Sequence, residues 1–261
     1  MSGPGWVGLL GDVHGALSEA VRRLQAWERR QGRRLSFVLQ AGDLGVFASP
    51  ERLDKQTRRR AAEDPTELDL LDYLQGRQKL PWDLWFVHGN HEDFDLLAER
   101  GQQPLDPAGR LHWLADGRVH LLGGLRVAAL GGIQPPKVSR PELPRYIQPA
   151  EVQSLLALPP GSADLLLCHD GPIGRCLVGM PWAGSVAVYD LVKHLRPRFC
   201  LFGHYDRPPP PTRLNGCTLL CLNLPGPWRL PRRDGGVAVL DSESWRVSWV
   251  DDQGAEHPQP V

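Results

Sequence analysis

The 261-residue chain has no C-x-x-C pair, no long apolar run, no internal repeat and no excess of either charge. Each absence removes a class of function. The five cysteines, Cys168, Cys176, Cys200, Cys217 and Cys221, have neither zinc-finger spacing nor the density of a disulfide framework. Cys168 and Cys200 fall inside apolar runs and are expected to be buried thiols. No apolar stretch reaches membrane-spanning length, and the amino terminus carries no basic patch followed by an apolar segment. The expectation is therefore no membrane partner and a reducing cytoplasm. Thirty basic residues balance thirty acidic ones, which argues against a generic nucleic-acid-coating protein but leaves room for a local basic patch. Lysine occurs only at Lys55, Lys79, Lys137 and Lys193, so nearly all of the basic charge is arginine.

What is present suits one large α/β domain over residues 1–250, since an apolar content of 41% supplies a core. Trp6 to Leu10, Leu35 to Leu39, Leu84 to Val87, Ala163 to Leu167 and Phe199 to Phe202 read as buried strands. Between the first two, Leu17, Ala20, Val21, Leu24 and Trp27 form one stripe of an amphipathic helix, with Arg22, Arg23, Arg29 and Arg30 on its solvated face. Residues 46–66 read as an insertion over the sheet edge, with Arg52, Lys55, Arg58, Arg59 and Arg60 bunched in it. They form either an inert solvated segment or a phosphate-attracting rim. Leu111 to Leu130 reads as a hairpin-like stretch. The long loop after Gly131-Gly132 carries Lys137, Arg140 and Arg145, which join the candidate substrate rim. The closing runs, Thr218 to Leu222, Gly236 to Leu240 and Trp245 to Val250, read as antiparallel strands. Residues 251–261 read as a flexible tail.

Each of the five buried strands runs into Asp, His or Asn. Asp12 and His14 follow the first and Asp43 the second. Asn90 and His91 follow the third, inside Gly89-Asn90-His91-Glu92. His169 follows the fourth, and His204 and Asp206 the fifth. Parallel strands put their carboxyl ends on one edge, so these side chains should meet there. Alone, each has a bland reading: a Gly-Asp after a strand is often a helix cap, and a single histidine is usually hydrogen-bonded core. Glu92 would hold its loop at the helix start. His88, His112 and His120 fit no strand-end pattern and read as structural. Together the oxygen and imidazole donors suit a pair of divalent first-row metals, which at roughly 3.5–4 Å can clamp a phosphoryl group.

In this order the motifs resemble the calcineurin-like metallophosphoesterases, whose signature is D-x-H, G-D, G-N-H-E, a lone H, then G-H-x-H. The resemblance covers roughly residues 6–222 and implies a four-layer α/β/β/α sandwich with two metals at the sheet's carboxyl edge. Carried over by position, it implies that Asp12 and His14 hold one metal and that Asn90, His169 and His204 hold the other. Asp43 would bridge them, and His91 would be the general acid. A metal-bridging hydroxide would attack phosphorus in line, with no covalent enzyme intermediate. Asp206 stands where the family usually has a histidine ligand. As a hard oxygen it favours Mn²⁺ over Fe, Zn or Ni; otherwise that site is weakened and one tight metal remains.

Protein Ser/Thr phosphatases of the family continue the second motif as G-D-x-V-D-R-G, and here those last Asp and Arg positions are Val46 and Phe47. A looser resemblance is to RNA lariat debranching enzymes, through the long polar segment before G-N-H-E and through Cys168-His169-Asp170-Gly171-Pro172. The expected function is a metal-dependent phosphodiesterase, with RNA or DNA among its candidate substrates and the physiological substrate left open. The alternative is a phosphomonoesterase of small molecules or phosphoproteins. From another class comes an inactive phosphate- or nucleic-acid-binding module. The sequence leaves the oligomeric state open.

Overall fold

Every second residue of the central strands faces a different core, and that alternation produces the layers. The computed structural model describes residues 5–136, 140–206, 209–223 and 236–258. The chain opens with β1 (Trp6–Leu10), α1 (Leu17–Gln31) and β2 (Leu35–Gln40). A 3-10 turn (Pro50–Arg52), α2 (Lys55–Glu63), a second 3-10 turn (Pro65–Leu68) and α3 (Leu70–Leu74) follow. Then come β3 (Leu84–Phe86), α4 (Phe94–Arg100), β4 (Leu111–Trp113), β5 (Arg118–Leu122), β6 (Leu125–Leu130) and α5 (Pro149–Leu156). The remainder is β7 (Leu165–Cys168), α6 (Val186–Leu195), β8 (Phe199–Phe202), β9 (Thr212–Leu214), β10 (Cys217–Cys221), β11 (Val237–Asp241), β12 (Arg246–Val250) and β13 (Glu256–Pro258).

Two sheets result, ordered β13-β12-β11-β1-β2-β3-β4 and β5-β6-β7-β8-β10-β9. In β7, Leu165 and Leu167 join Val7, Leu9, Phe37 and Leu39 in the core between the sheets. Leu166 and Cys168 of the same strand face Val188, Leu191 and Val192 of α6. Leu17, Val21, Leu24 and Trp27 of α1 cover the far side of the first sheet. Three apolar layers thus separate helix, sheet, sheet and helix, giving the expected four-layer sandwich. A strand buried on both faces must be apolar at every position, which is why these strands appear as unbroken runs.

Four details differ from the sequence reading. The run Thr218 to Leu222 pairs parallel with β8 and antiparallel only with β9. Leu111–Trp113 is no part of the hairpin: it is the edge strand of the first sheet, while β5 and β6 form a hairpin in the second. Residues 46–66 follow β2, an interior strand, and so lie over its carboxyl end instead of over an edge. The expected tail is not frayed through residue 258: β13 pairs antiparallel with β12, and Trp27 donates its indole N–H to Glu256 Oε1 at 2.9 Å. An edge strand this short carries too little pattern to be read from sequence.

Candidate metal centre

The five chemistry-bearing strand ends belong to both sheets. β1, β2 and β3 are parallel neighbours in the first sheet, and β7 and β8 are parallel neighbours in the second. The site is therefore a seam where two carboxyl edges meet. Three of its residues, His14, Asp43 and His204, take left-handed backbone angles, φ 47°, 51° and 67°. Such conformations cost about 1–3 kcal/mol for non-glycine residues and persist where the surrounding fold enforces them. The glycines of the motifs make room for close approach. A side chain at Gly89 would come within 2.1 Å of Asp43 Oδ1, and one at Gly203 within 2.1 Å of Asp12 Oδ1.

Asp43 is buried at the centre. Its Oδ1 accepts the backbone N–H groups of Asn90 and His91 at 2.7 and 2.8 Å, while Oδ2 lies 3.5 Å from His169 Nε2. Ligand atoms of Asp43, His169 and His204 lie within 4.8 Å of one another, and so do those of Asp12, His14 and Asp43. Asp43 is the member common to both groups, as a bridging carboxylate must be. His169 Nδ1 donates to the Ala41 carbonyl oxygen at 2.8 Å, which leaves Nε2 as the nitrogen turned to Asn90 Oδ1 at 3.2 Å and to Asp43. Orienting an imidazole through its other nitrogen is how proteins prepare a metal ligand. This mixed oxygen and imidazole set fits a borderline-to-hard divalent cation.

Burial shapes the charges. It works against ionisation of Asp43, but His169, His14 and His91 outweigh it and hold the carboxyl well below the usual range. Burial pushes Asp12 up to about 7, against the pull of His169. Burial also disfavours charge on His169, yet Asp43 and Asp12 carry it up to about 10. A cation held here would have to displace that proton, so its affinity would fall with falling pH.

His91 is paired with a carboxylate that belongs to neither ligand group. Its Nδ1 is 2.6 Å from Asp54 Oδ2. Burial lowers the imidazole's affinity for a proton, but Asp54 and Asp43 reverse that and leave its pKa raised. Asp54 in turn is held down at about 2, with His91 and the Thr57 N–H outweighing its burial. Asp54 also caps α2, accepting that N–H at 2.8 Å. Nothing in the motif order points to Asp54. Its one signal is an Asp before an Arg-rich helical stretch, which reads as an ordinary cap.

Other assignments change. Glu92 does not cap α4; Asp93 does, accepting from Leu96 N–H. Glu92 instead accepts the backbone N–H groups of Leu44, Gly45 and Val46, tying the second motif's loop to the third. Asp206 is exposed and belongs to neither ligand group. The adjacent Tyr205 is buried with its hydroxyl on Asp170, and the chain leaves Asp206 on the outside. The expected rim also separates. Arg58 donates to the carbonyls of Glu51 and Leu53, Arg59 points to solvent beside Glu63, and Arg60 turns inward. Arg145 and Arg140 are exposed, and Lys137 lies outside the described residues. His88 pairs with Asp116 at 3.2 Å, His112 stacks on Trp85, and His120 bonds the Ala115 carbonyl, so all three are structural. Of the four arginines expected on the solvated face of α1, Arg23 is buried against Glu19.

A cleft of about 460 Å³, reached through Asp54, the partner of His91, is lined by Phe47, Phe94, Leu143, Pro144 and Arg145 and by the ion-paired group of Arg52, Asp93 and Asp95. Among the described residues no helix is long and apolar enough to cross a membrane.

Residues 5–208 match the family of calcineurin-like phosphoesterases. A lariat debranching enzyme of Entamoeba histolytica is 29% identical over 91 residues, a stretch covering 35% of this chain and only 25% of that protein. Among solved structures, TT1561 of Thermus thermophilus superposes with a TM-score of 0.56 at 15% identity, over 95% of this chain and 99% of that one. GAP50, described as the anchor in the inner membrane complex of Plasmodium, superposes at 0.54 with 12% identity, over 98% of this chain and 89% of its own. At such identities the two structures speak for the fold alone.

Proposed function

This chain belongs to the calcineurin-like phosphoesterases, and from that premise we propose that it is a phosphodiesterase whose leaving group sits in the cleft beside His91. Metal-dependent phosphoester hydrolysis is the family's chemistry. The observation that carries the finer reading is the cleft itself. A monoester needs little space beyond the phosphoryl site, whereas a diester has a second substituent to house. Phe47, Phe94, Leu143 and Pro144 offer an apolar floor for a base or other flat group, and Arg145 offers a cation to a flanking phosphate. The missing Asp and Arg at Val46 and Phe47 favour the same side, because the phosphate-gripping arginine of the Ser/Thr phosphatases has no counterpart there. The stretch similar to a lariat debranching enzyme agrees with a nucleic-acid substrate.

Asp43, Asn90, His169 and His204 would hold one divalent cation, with Asp12 and His14 offering a second position across Asp43. Bound there, the metal would supply Lewis acidity at phosphorus and a water acidified for attack. The chain's own residues do the rest. His91, charged through its Asp54 partner, gives a proton to the departing alkoxide. Asp43 accepts the backbone of the His91 loop and so fixes acid and metal in one frame. Mn²⁺ is the first choice of metal, and a reducing cytoplasm suits the five free, buried cysteines.

The test is hydrolysis by Mn²⁺-loaded protein of bis-p-nitrophenyl phosphate, p-nitrophenyl phosphate and short oligonucleotides, branched and linear. Preference for the diesters supports the reading. Faster turnover of the monoester would replace it with a small-molecule phosphatase.

A further inference from the structure

We infer that the two metal positions are unequal, and that Arg60 holds the Asp12–His14 position closed to a divalent cation. Arg60 Nη2 lies 2.9 Å from His14 Nδ1. A guanidinium carries no lone pair to offer, so it can only donate in that bond. His14 Nδ1 must then present its own lone pair to Arg60, which places the proton of the neutral ring on Nε2. A nitrogen bearing a proton cannot ligate a metal, and the other nitrogen is already occupied. His14 therefore cannot serve as a ligand through either nitrogen while Arg60 stays where it is.

Arg60 is not a loose surface residue. Its Nε donates to Glu67 at 3.0 Å, Glu67 is itself buried, and Nη2 also reaches Thr57 Oγ1 at 3.4 Å. The Arg60 side chain is only 20% exposed. Its fixed positive charge against the His14 ring would repel a second cation arriving there. A second observation points the same way. Asp206, the residue placed to complete this position, is exposed and outside the ligand group. The other position has no arginine against its histidine among the described residues: His169 Nδ1 is tied to the Ala41 carbonyl, and its Nε2, which a cation would take in exchange for a proton, faces Asn90 Oδ1 and Asp43 Oδ2. Arg60 thus acts as an internal counter-ion in one half of the site, and cation binding there requires it to swing away.

The inference rests on reading this cluster as a metal centre, and its test is made on binding, with no substrate present. Metal-depleted protein is titrated with Mn²⁺, followed by calorimetry and by the Mn²⁺ paramagnetic resonance spectrum. The wild type should bind about one Mn²⁺ tightly and a second at least tenfold more weakly. Arg60→Met, which keeps the length and loses the donors, should tighten the second event by tenfold or more and bring out the spectrum of a coupled metal pair. His14→Ala should abolish the second event and leave the first unchanged. Should Arg60→Met fail to fold, Glu67→Gln loosens the same guanidinium and should shift the second event in the same direction. Two events of equal strength in the wild type, or a second event indifferent to both Arg60→Met and Glu67→Gln, would overturn the inference. No Mn²⁺ binding by any variant would overturn the metal centre itself, a distinct outcome.

Discussion

Asp54 Oδ2 lies 2.6 Å from His91 Nδ1, and the two residues reach each other from segments separated by a strand, two short helices and a turn. With His91 as the proposed proton donor, the contact would make Asp54 its positioning residue. Asp54→Asn should lower turnover of a diester with an alkoxide leaving group by about 10–100-fold, a part of the roughly 10²–10⁴-fold that general acid catalysis contributes as a whole. The sign of the pH effect follows from the raised pKa of His91. Removing the carboxylate lowers that pKa, so the alkaline limb of the activity profile should move to lower pH. A drop in rate with an unmoved limb would mean that Asp54 merely supports the loop.

His91→Ala should cost roughly 10²–10⁴-fold on the same alkoxide substrate. The loss should shrink on a nitrophenyl ester, whose anion departs without a proton. Equal losses on both would assign His91 to metal or phosphate positioning.

Removal of metal should unfold the protein at lower temperature as well as silence it. Asp43 and Asn90 come from one sheet and His169 and His204 from the other, so a bound ion ties the two together. A ligand at one hundred times its Kd stabilises the state that binds it by about 2.7 kcal/mol. Chelation should therefore lower Tm, measured by calorimetry, and Mn²⁺ should restore it. An unchanged Tm would mean that the seam holds without an ion.

The cationic contacts to a polynucleotide are expected from Arg145, with Arg140 beside it in the same loop. Arg145→Ala should raise KM for oligonucleotides, more so at low salt, and leave nitrophenyl esters unaffected. Neutralising Arg58, Arg59 and Arg60 together is no test of a rim, because Arg58 and Arg60 hold the segment and the site in place. Salt-independent cleavage in both forms would remove the nucleic-acid reading.

Away from the site, burial raises the Glu151 carboxyl to about 7, with Asp116 adding to it. The folded state favours the protonated form, so the associated stability is complete below the carboxyl's unfolded value and lost as pH rises through about 7. Glu151→Gln should accordingly raise Tm at pH 8 and change little at pH 4. The reverse order would show that the charged form has a partner in the fold.

The two-sided strands and their polar ends are legible in the sequence because both are local signals. A strand buried on both faces is an apolar run, and the residue ending it stands next to it in the chain. That is how Asp12, His14, Asp43, Asn90, His91, His169 and His204 can be found together. What the sequence conceals depends on side chains that cross segments. Asp54 has the position of a helix cap, and it is one, but its second oxygen serves His91. Arg60 sits among arginines whose density suggests a solvated or phosphate-facing rim, and only packing separates the inward one from Arg59. Glu92 has the chemistry of a cap and stands near a helix start. Its three acceptor contacts to another loop come from the closeness of the β2 and β3 ends. Asp206 misleads for the opposite reason: the motif supplies the position, and the burial of Tyr205 leaves it outside.

Helix α2 is nine residues long, and it brings a carboxylate to His91 at one end and a guanidinium to His14 near the other. Any displacement of this one lever would loosen the proton donor and unlock the second cation position in the same movement. Proton supply and metal capacity are then not independent variables here. A change that pries α2 outward trades one for the other, and a transplant of residues 46–66 from a relative would carry both properties across as a single unit of inheritance.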